Sequence, residues 1–400
     1  MKFDFDKVVD RHGTKCLKYD FAKERGRSDD MLPLWVADMD FPTAPGIQKS
    51  LSDAVAHGIY GYSEGKDDYF QAAGKDSYFQ ALAGWYEKHF GWKVEKEWLI
   101  KTPGVVFALA MAVKAYTKEG DAVLLQQPVY YPFSEVITDN HRRLINSPLQ
   151  QIDGHYEINF EEFEQKIVEE NVKLFLMCSP HNPVGRVWKE WELRKIGDIC
   201  LKHNVLVVSD EIHSDFTYGE NIHHVFASLD EKYAAITTTC TAPSKTFNIA
   251  GLQISNIWIS NPELRARFRA EVTAAGYSQV NLMGLVACQA AYETGEEWLK
   301  ELKIYLEGNL DYVRTFLKEN LPEIKLTEPE GTYLLWLDFK SLGMKEEQLK
   351  DLVENKAKLW LDSGAMFGPD GEGFERINIA CPREILKQAL TQLAEAVHDR

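Results

Sequence analysis

Residues 172–183 read VKLFLMCSPHNP, an almost continuous apolar run that passes into a polar, proline-containing segment. The run at 172–178 predicts a β-strand covered on both faces, as in the parallel sheets of α/β proteins. Similar runs stand on either side, AVLLQ at 122–126 and VLVVS at 205–209, and two more follow at 234–239 and 254–259. Helical patterns occupy 105–116 and 189–203. The sequence therefore predicts an α/β fold with a mostly parallel central sheet and helices on both faces.

The pattern changes after about residue 290. Charged helical segments at 296–318 and 345–356 flank a predicted strand at 331–339, and a strand at 374–379 precedes a last helix. This arrangement predicts a smaller α+β C-terminal domain, and 400 residues suffice for two domains. We expect an N-terminal segment, 1–45, that packs on the small domain, a large domain, 46–290, and a small domain, 291–400.

The composition restricts the classes of partner. The net charge of −16 repels nucleic acid phosphates and anionic lipid, so we expect neither nucleic acid nor membrane as a partner. The six cysteines form no C-x-x-C pair and no histidine cluster has metal-ligand spacing, so we expect no metal site. The N-terminus has no signal-peptide pattern and no apolar run could span a bilayer, which favours a cytoplasmic protein.

Chemically useful side chains follow four successive predicted strands. The order is Tyr130, then Asn182, then Asp210 with His213, then Lys245. Since ligands of α/β sheets bind at the carboxyl ends of strands, these residues are expected to share one site. Each alone has a commoner explanation: a solvated lysine, an aspartate that caps a helix, an Asn-Pro turn, a packed tyrosine or a structural histidine.

Together these residue types suit pyridoxal 5'-phosphate (PLP). The cofactor needs a lysine amine for its aldehyde and an acid that keeps the pyridine nitrogen protonated. An aromatic ring can stack on it, and backbone N–H groups at a helix start can hold its phosphate. Gly104, at the start of the helix 105–116, is the candidate for that phosphate site.

Seven motifs extend this interpretation over nearly the whole chain. In order they are PLWVADMDF (33–41), GYS (61–63), TPGVV (102–106), CSPHNPVGRVW (178–188), SDEIHSDF (209–216), TAPSKTFNIAGLQ (241–253) and RINIACPR (376–383). In these motifs the chain resembles the fold-type I PLP-dependent enzymes of the aminotransferase class I/II superfamily. Within them it is similar to the C–S lyases of the cystathionine β-lyase type.

The resemblance implies roles for individual residues. Lys245, Asp210 and Tyr62 would form the catalytic set, with Tyr62 reaching the cofactor phosphate of a neighbouring subunit, so that a homodimer is implied. Arg376 would bind the substrate carboxylate through a bidentate fork, beside Ala37 and Asn182. The implied cofactor contacts are Lys245, Asp210, Asn182, His213, Tyr130, Ser244, Thr241, Tyr62 and the amides of Val105 and Val106.

Three positions depart from the usual aminotransferase pattern. Ala242 stands where aminotransferases have a phosphate-binding serine, Gln253 where they have an arginine, and His213 where they have a tyrosine. These differences favour the C–S lyase branch. The expected reaction is α,β-elimination from L-cystathionine and related L-cysteine S-conjugates to a thiol, pyruvate and ammonia. An aminotransferase for aromatic or sulfur amino acids is the main alternative, and a non-catalytic binding protein or a generic α/β domain are further ones.

A tandem repeat follows the GYS motif. KDDYFQA at 66–72 returns as KDSYFQA at 75–81. One hypothesis is a solvated bulge, which loops tolerate at small thermodynamic cost. The other is a flap over the neighbouring substrate entrance, formed by Tyr69 and Phe70.

Overall fold

The computed structural model describes residues 2–63 and 77–400. The first copy of the tandem repeat, with Tyr69 and Phe70, lies outside the described residues, so both hypotheses for it stay predictions. The strands within the described ranges are β1 (Leu32–Pro33), β2 (Leu99–Thr102), β3 (Ala122–Leu125), β4 (Arg143–Asn146), β5 (Leu149–Ile152), β6 (His155–Ile158), β7 (Val172–Cys178), β8 (Leu206–Asp210), β9 (Thr237–Thr241), β10 (Ser255–Trp258), β11 (Lys325–Thr327), β12 (Leu334–Asp338), β13 (Leu359–Trp360), β14 (Asp362–Ser363) and β15 (Phe374–Asn378).

Helices connect most of these strands. They are α1 (Pro45–His57), α2 (Ser77–Phe90), α3 (Val105–Tyr116), α4 (Pro132–Thr138), α5 (Phe160–Glu169), α6 (Glu190–Lys202), α7 (Glu231–Ala234), α8 (Pro243–Thr246), α9 (Pro262–Ala274), α10 (Leu282–Thr294), α11 (Glu296–Asn320), α12 (Glu346–Lys350) and α13 (Arg383–His398). A π-helical turn, Asp351–Lys356, follows α12. In the described ranges, no helix is long and apolar enough to cross a membrane.

The central sheet has the strand order β2-β10-β9-β8-β7-β3-β4 within the described ranges. The pairs from β9 through β8, β7 and β3 to β4 are parallel, whereas β10 pairs antiparallel with β9 and β2. The predicted α/β class with a mostly parallel sheet is therefore confirmed. The sheet brings the carboxyl ends of β3, β7, β8 and β9 to one edge.

Strand β7 shows why its apolar sequence belongs in the middle of this sheet. Leu174 and Leu176 pack into the core with α3 and α9, while Phe175 and Met177 pack into the core with α5 and α6. Because successive side chains of a strand point to opposite faces, both faces are covered only if nearly every residue is apolar. Truncating Phe175 to Ala would leave a cavity and cost about 3–5 kcal/mol.

The C-terminal part of the chain forms a second sheet, of order β11-β12-β15-β14 in the described ranges. The N-terminal strand β1 pairs parallel with β13, and Trp35 stacks on Trp360 at a ring distance of 4.5 Å. The segment that follows β1 also contacts β15, since the Asn378 amide donates to the carbonyls of Val36 and Asp38. The boundaries of the domains, 45/46 and 290/291, stay a prediction.

Candidate active site

A cavity of about 370 Å³ lies beyond the carboxyl ends of β7 and β8, between the start of α3 and the short helix α8. The sequence-predicted residues that line it are Ala37, Val105, Val106, Tyr130, Asn182, Asp210, His213, Ser244 and Lys245. These residues come from the N-terminal segment and from several strand ends, as expected for an α/β sheet. Cys178, Ile212 and Gln253 also line the cavity.

Lys245 stands on α8, just after β9. Its Nζ donates to the Ala37 carbonyl at 2.8 Å, and the Tyr333 hydroxyl donates to the same oxygen at 3.0 Å. The pKa of Lys245 is lowered to about 8, mainly by burial and also by the charge of Arg376, while Asp38 and Asp210 oppose the shift. About a tenth of the amine is therefore neutral and nucleophilic at pH 7.

Asp210 is the last residue of β8 and is buried. Its Oδ1 accepts the Ile212 backbone N–H at 3.1 Å, and among the described residues its carboxylate has no other hydrogen-bond donor. Burial raises the pKa of Asp210 to about 7, although the Ile212 amide and Lys245 oppose the shift. A buried carboxyl group with an unused acceptor is suited to a cationic N–H of a bound ligand.

His213 lines the same cavity as this carboxyl group. It is buried, its ring meets Tyr333 edge-on at 5.9 Å, and its Nδ1 has no hydrogen-bond partner in the described part of the chain. Burial, with the charges of Lys245 and Arg376, lowers the pKa of His213 well below its usual range. The imidazole is therefore neutral and can exchange a hydrogen bond with a bound ligand.

The start of helix α3 forms another part of the wall. Gly104 precedes the first helical residue, and no side chain caps the helix. The amides of Val105 and Val106 thus belong to the first helical turn, where backbone N–H groups lack intrahelical acceptors. Together with the helix dipole, such amides bind phosphate, and Ser244 lies in the same cavity.

Thr241 is not among the residues that line this cavity, and its hydroxyl has other partners, so its expected contact with a phosphate stays a prediction. Its hydroxyl accepts from the Tyr86 hydroxyl at 2.7 Å and from the Trp258 Nε1 at 3.2 Å, and donates to the Asn256 carbonyl at 2.8 Å. Side chains alternate along β9, so Thr241 faces this buried aromatic cluster, whereas Cys240 packs in the core with α3.

Asn182 links the cavity to Arg376. The Asn182 carbonyl accepts the Tyr130 backbone N–H at 3.0 Å, and its side-chain Oδ1 accepts from Arg376 Nη1 at 3.0 Å. Among the described residues the Asn182 amide nitrogen has no hydrogen-bond acceptor, and Asn182 lines the cavity. Arg376 is buried, and its Nη2 also donates to the Trp35 carbonyl at 2.9 Å and to Asp362.

Tyr62 lies outside the cavity of its own chain and is 95% exposed. It borders a neighbouring surface depression with Tyr277 and Asn281, and Gln253 lines both this depression and the cavity. A contribution of Tyr62 to a second subunit stays a prediction.

Two residues of the site, Tyr333 and Asp362, were not predicted from the sequence. Tyr333 shares the Ala37 carbonyl with Lys245, and Asp362 contacts Arg376. Tyr333 stands just before the apolar strand β12, where a site aromatic could have been suspected. Asp362 carries no sequence signal, because only strand pairing brings it to Arg376.

These features fit PLP on their chemistry. The cavity supplies a reactive lysine, a carboxyl group with an unused acceptor, an unpartnered imidazole nitrogen, an uncapped helix start and the Tyr130 ring. In the part of the chain that the structure describes, no group of three or more His, Cys, Asp or Glu residues could hold a metal ion.

A family model, described as aminotransferase class I and II, matches residues 30–393. The chain belongs to this family. Membership confirms the recognition made from the motifs. The predicted fold type I of PLP-dependent enzymes is confirmed, because two solved structures that contain PLP superpose on 99% or more of this chain.

Three proteins are closely similar to this chain. Cystathionine beta-lyase PatB of Bacillus subtilis is 42% identical over 98% of this chain and 100% of its own length. Cystalysin from Treponema denticola, whose crystal structure contains PLP, is 38% identical, with a TM-score of 0.94 and full coverage of both chains. The PLP-bound C–S lyase from Staphylococcus hominis is 33% identical, with a TM-score of 0.91, covering 99% of this chain and 98% of its own.

Proposed function

We propose that this chain is a PLP-dependent C–S lyase that cleaves L-cystathionine and related L-cysteine S-conjugates by α,β-elimination. The products are a thiol, which is homocysteine from cystathionine, with pyruvate and ammonia. The observation that carries the proposal is the Lys245 amine, whose pKa is lowered to about 8, in one cavity with the buried Asp210 carboxyl group. The names of the similar proteins, cystathionine beta-lyase and C–S lyase, support the choice of reaction.

Bound PLP supplies an electron-withdrawing ring that acidifies the α-carbon of an attached amino acid. Lys245 would hold the cofactor aldehyde, since its amine is a nucleophile in the cavity. With an amino acid bound, the free Lys245 Nζ would remove the α-proton as a general base. A pKa near 8 suits this role, because the amine can both accept and return a proton near neutral pH.

The other side chains hold the cofactor in place. The Asp210 carboxylate would keep a proton on the pyridine nitrogen, whose positive charge would stabilise the ionised carboxylate in turn. The Asn182 amide would donate to the ring oxygen, and Tyr130 would stack on the ring. The amides at the start of α3, with Ser244, would bind the phosphate.

Substrate orientation rests on Arg376, which binds the α-carboxylate, and on the Ala37 backbone. With the carboxylate held there, the α-proton faces Lys245. Loss of that proton is followed by cleavage of the bond between the β-carbon and sulfur. The sulfur leaves with the bonding electron pair as a thiolate, which takes up the proton held by Lys245 and departs as the thiol. The remaining three-carbon amine takes up water and gives pyruvate and ammonia.

Assembly and location complete the proposal. The exposed Tyr62 would reach the phosphate of a partner's cofactor, so the active unit is a homodimer. The enzyme acts in the cytoplasm on a small amino acid, and neither nucleic acid nor membrane is needed. A monomer with full activity at the assay concentration would contradict the dimer.

The decisive experiment incubates the purified, PLP-loaded protein with L-cystathionine in the absence of any keto acid. We expect pyruvate and free thiol to be released in equal amounts, and a Lys245→Ala variant to release neither. Turnover that requires an added keto acid, with no free thiol, would favour the aminotransferase alternative instead.

A further inference from the structure

Arg376 is paired with a carboxylate of the protein itself. Strand β14 lies antiparallel to β15, and this register places Asp362 directly opposite Arg376. Both side chains are buried, and the Asp362 carboxylate contacts Arg376 Nη2. Among the described residues, Asp362 has no other hydrogen-bond donor. Burying a carboxylate costs desolvation free energy, which a single partner offsets only in part.

The donors of Arg376 are already committed. Nη1 donates to Asn182 Oδ1, and Nη2 donates both to Asp362 and to the Trp35 carbonyl. A guanidinium binds a carboxylate bidentately through one of two forks, Nε with Nη2 or Nη1 with Nη2, so Nη2 belongs to both. With both Nη2 hydrogens in use, neither fork is open. Nε is buried and has no partner in the described part of the chain.

We propose that Asp362 is an internal carboxylate that occupies Arg376 until the α-carboxylate of an amino acid takes its place. The inference rests on the proposed role of Arg376 as the carboxylate site. When the ligand binds, the Arg376–Asp362 contact breaks and a bidentate contact between Arg376 and the ligand forms. Asp362 thereby weakens the binding of every ligand that needs Arg376 and leaves ligands without a carboxylate unaffected.

The remaining contacts of Arg376 decide the sign of this effect. Asn182 and the Trp35 carbonyl hold two of its nitrogens, and the Phe367 ring lies 4.9 Å from the guanidinium carbon. These three contacts fix the guanidinium without help from Asp362. Removing the Asp362 charge therefore frees a fork of an arginine that stays in position.

The test compares two ligands that differ only in the carboxylate, L-methionine and methylthiopropylamine. Their dissociation constants are measured on the PLP-loaded protein, without keto acid, from the change in cofactor absorbance. This readout reports binding and does not depend on elimination. The variants are Asp362→Asn and the smaller Asp362→Ser, which covers a failure of the first to fold. Glu375→Gln is the matched control, because Glu375 is also buried on β15 but points to the face opposite to Arg376.

Both Asp362 variants should bind L-methionine about tenfold more tightly than the parent protein, the scale of one charged hydrogen bond. Their affinity for methylthiopropylamine, and both affinities of Glu375→Gln, should stay unchanged. Weaker or equal binding of L-methionine by the Asp362 variants would overturn the inference, as would equal effects on both ligands. An Arg376→Lys protein that binds L-methionine normally would instead overturn the carboxylate site of the proposed function.

Discussion

The depressed pKa of Lys245 can be measured through the reaction of cofactor-free protein with PLP. Only the neutral amine attacks the aldehyde, so the rate follows the neutral fraction of Lys245. Burial disfavours the ammonium form, which lowers the pKa of Lys245 from the ordinary 10.5 to about 8. The perturbation is pH, varied from mildly acidic to alkaline at constant ionic strength.

The structure gives the size of the effect. At pH 7 a group with a pKa of 8 is about 9% neutral, whereas one with a pKa of 10.5 is about 0.03% neutral. The neutral fraction of the Lys245 amine, and with it the rate of attack on the aldehyde, should therefore be roughly 300-fold higher than for an unperturbed lysine at that pH. The rate should rise about tenfold per pH unit in acid, reach half its maximum near pH 8 and level off above pH 9.

The assay is stopped-flow absorbance of the covalent PLP–lysine linkage, followed by borohydride reduction to locate it on Lys245. The control is Nα-acetyl-lysine, which keeps a free side-chain amine, under the same conditions. The ratio of the two rates removes the effect of the titration of PLP itself. A Lys245→Ala protein should give no fixed cofactor. A rate that keeps climbing in parallel with acetyl-lysine beyond pH 9 would refute the depressed pKa.

Three further predictions follow from the site. Asp210→Asn should keep PLP bound but lower kcat for elimination about 100-fold or more, since no ionised partner holds the ring proton; near-normal turnover in steady-state assays would refute the role. Arg376→Lys should raise KM for L-cystathionine about 10- to 100-fold with an unchanged cofactor spectrum, because the planar fork is lost. Thr241→Val should leave the PLP dissociation constant unchanged. It should lower the free energy of unfolding by about 2 kcal/mol in urea titrations, since the buried Tyr86 hydroxyl and Trp258 N–H lose their acceptor. A large loss of PLP affinity in a stable protein would instead place Thr241 at the phosphate site.

The sequence itself determined the fold class and most of the cavity wall. Apolar runs such as 172–178 and 205–209 can be satisfied only between two helical layers, and polar side chains that follow parallel strands must meet at one edge. Helix Val105–Tyr116 and strand Val172–Cys178 have the predicted bounds. Other strands begin or end one to three residues away, as at Thr237–Thr241, because an apolar run does not reveal where ladder hydrogen bonds start.

Only the tertiary structure decided which way single side chains point and which distant residues meet. Thr241 and Lys245 are four residues apart in sequence, yet alternation along β9 turns the Thr241 hydroxyl toward Tyr86, away from the cavity. Asp362 reaches Arg376 only through the register of β14 against β15, and Tyr333 reaches Ala37 from 296 residues away in the sequence. Such contacts depend on strand register and on long-range packing, which residue types and spacing do not encode locally.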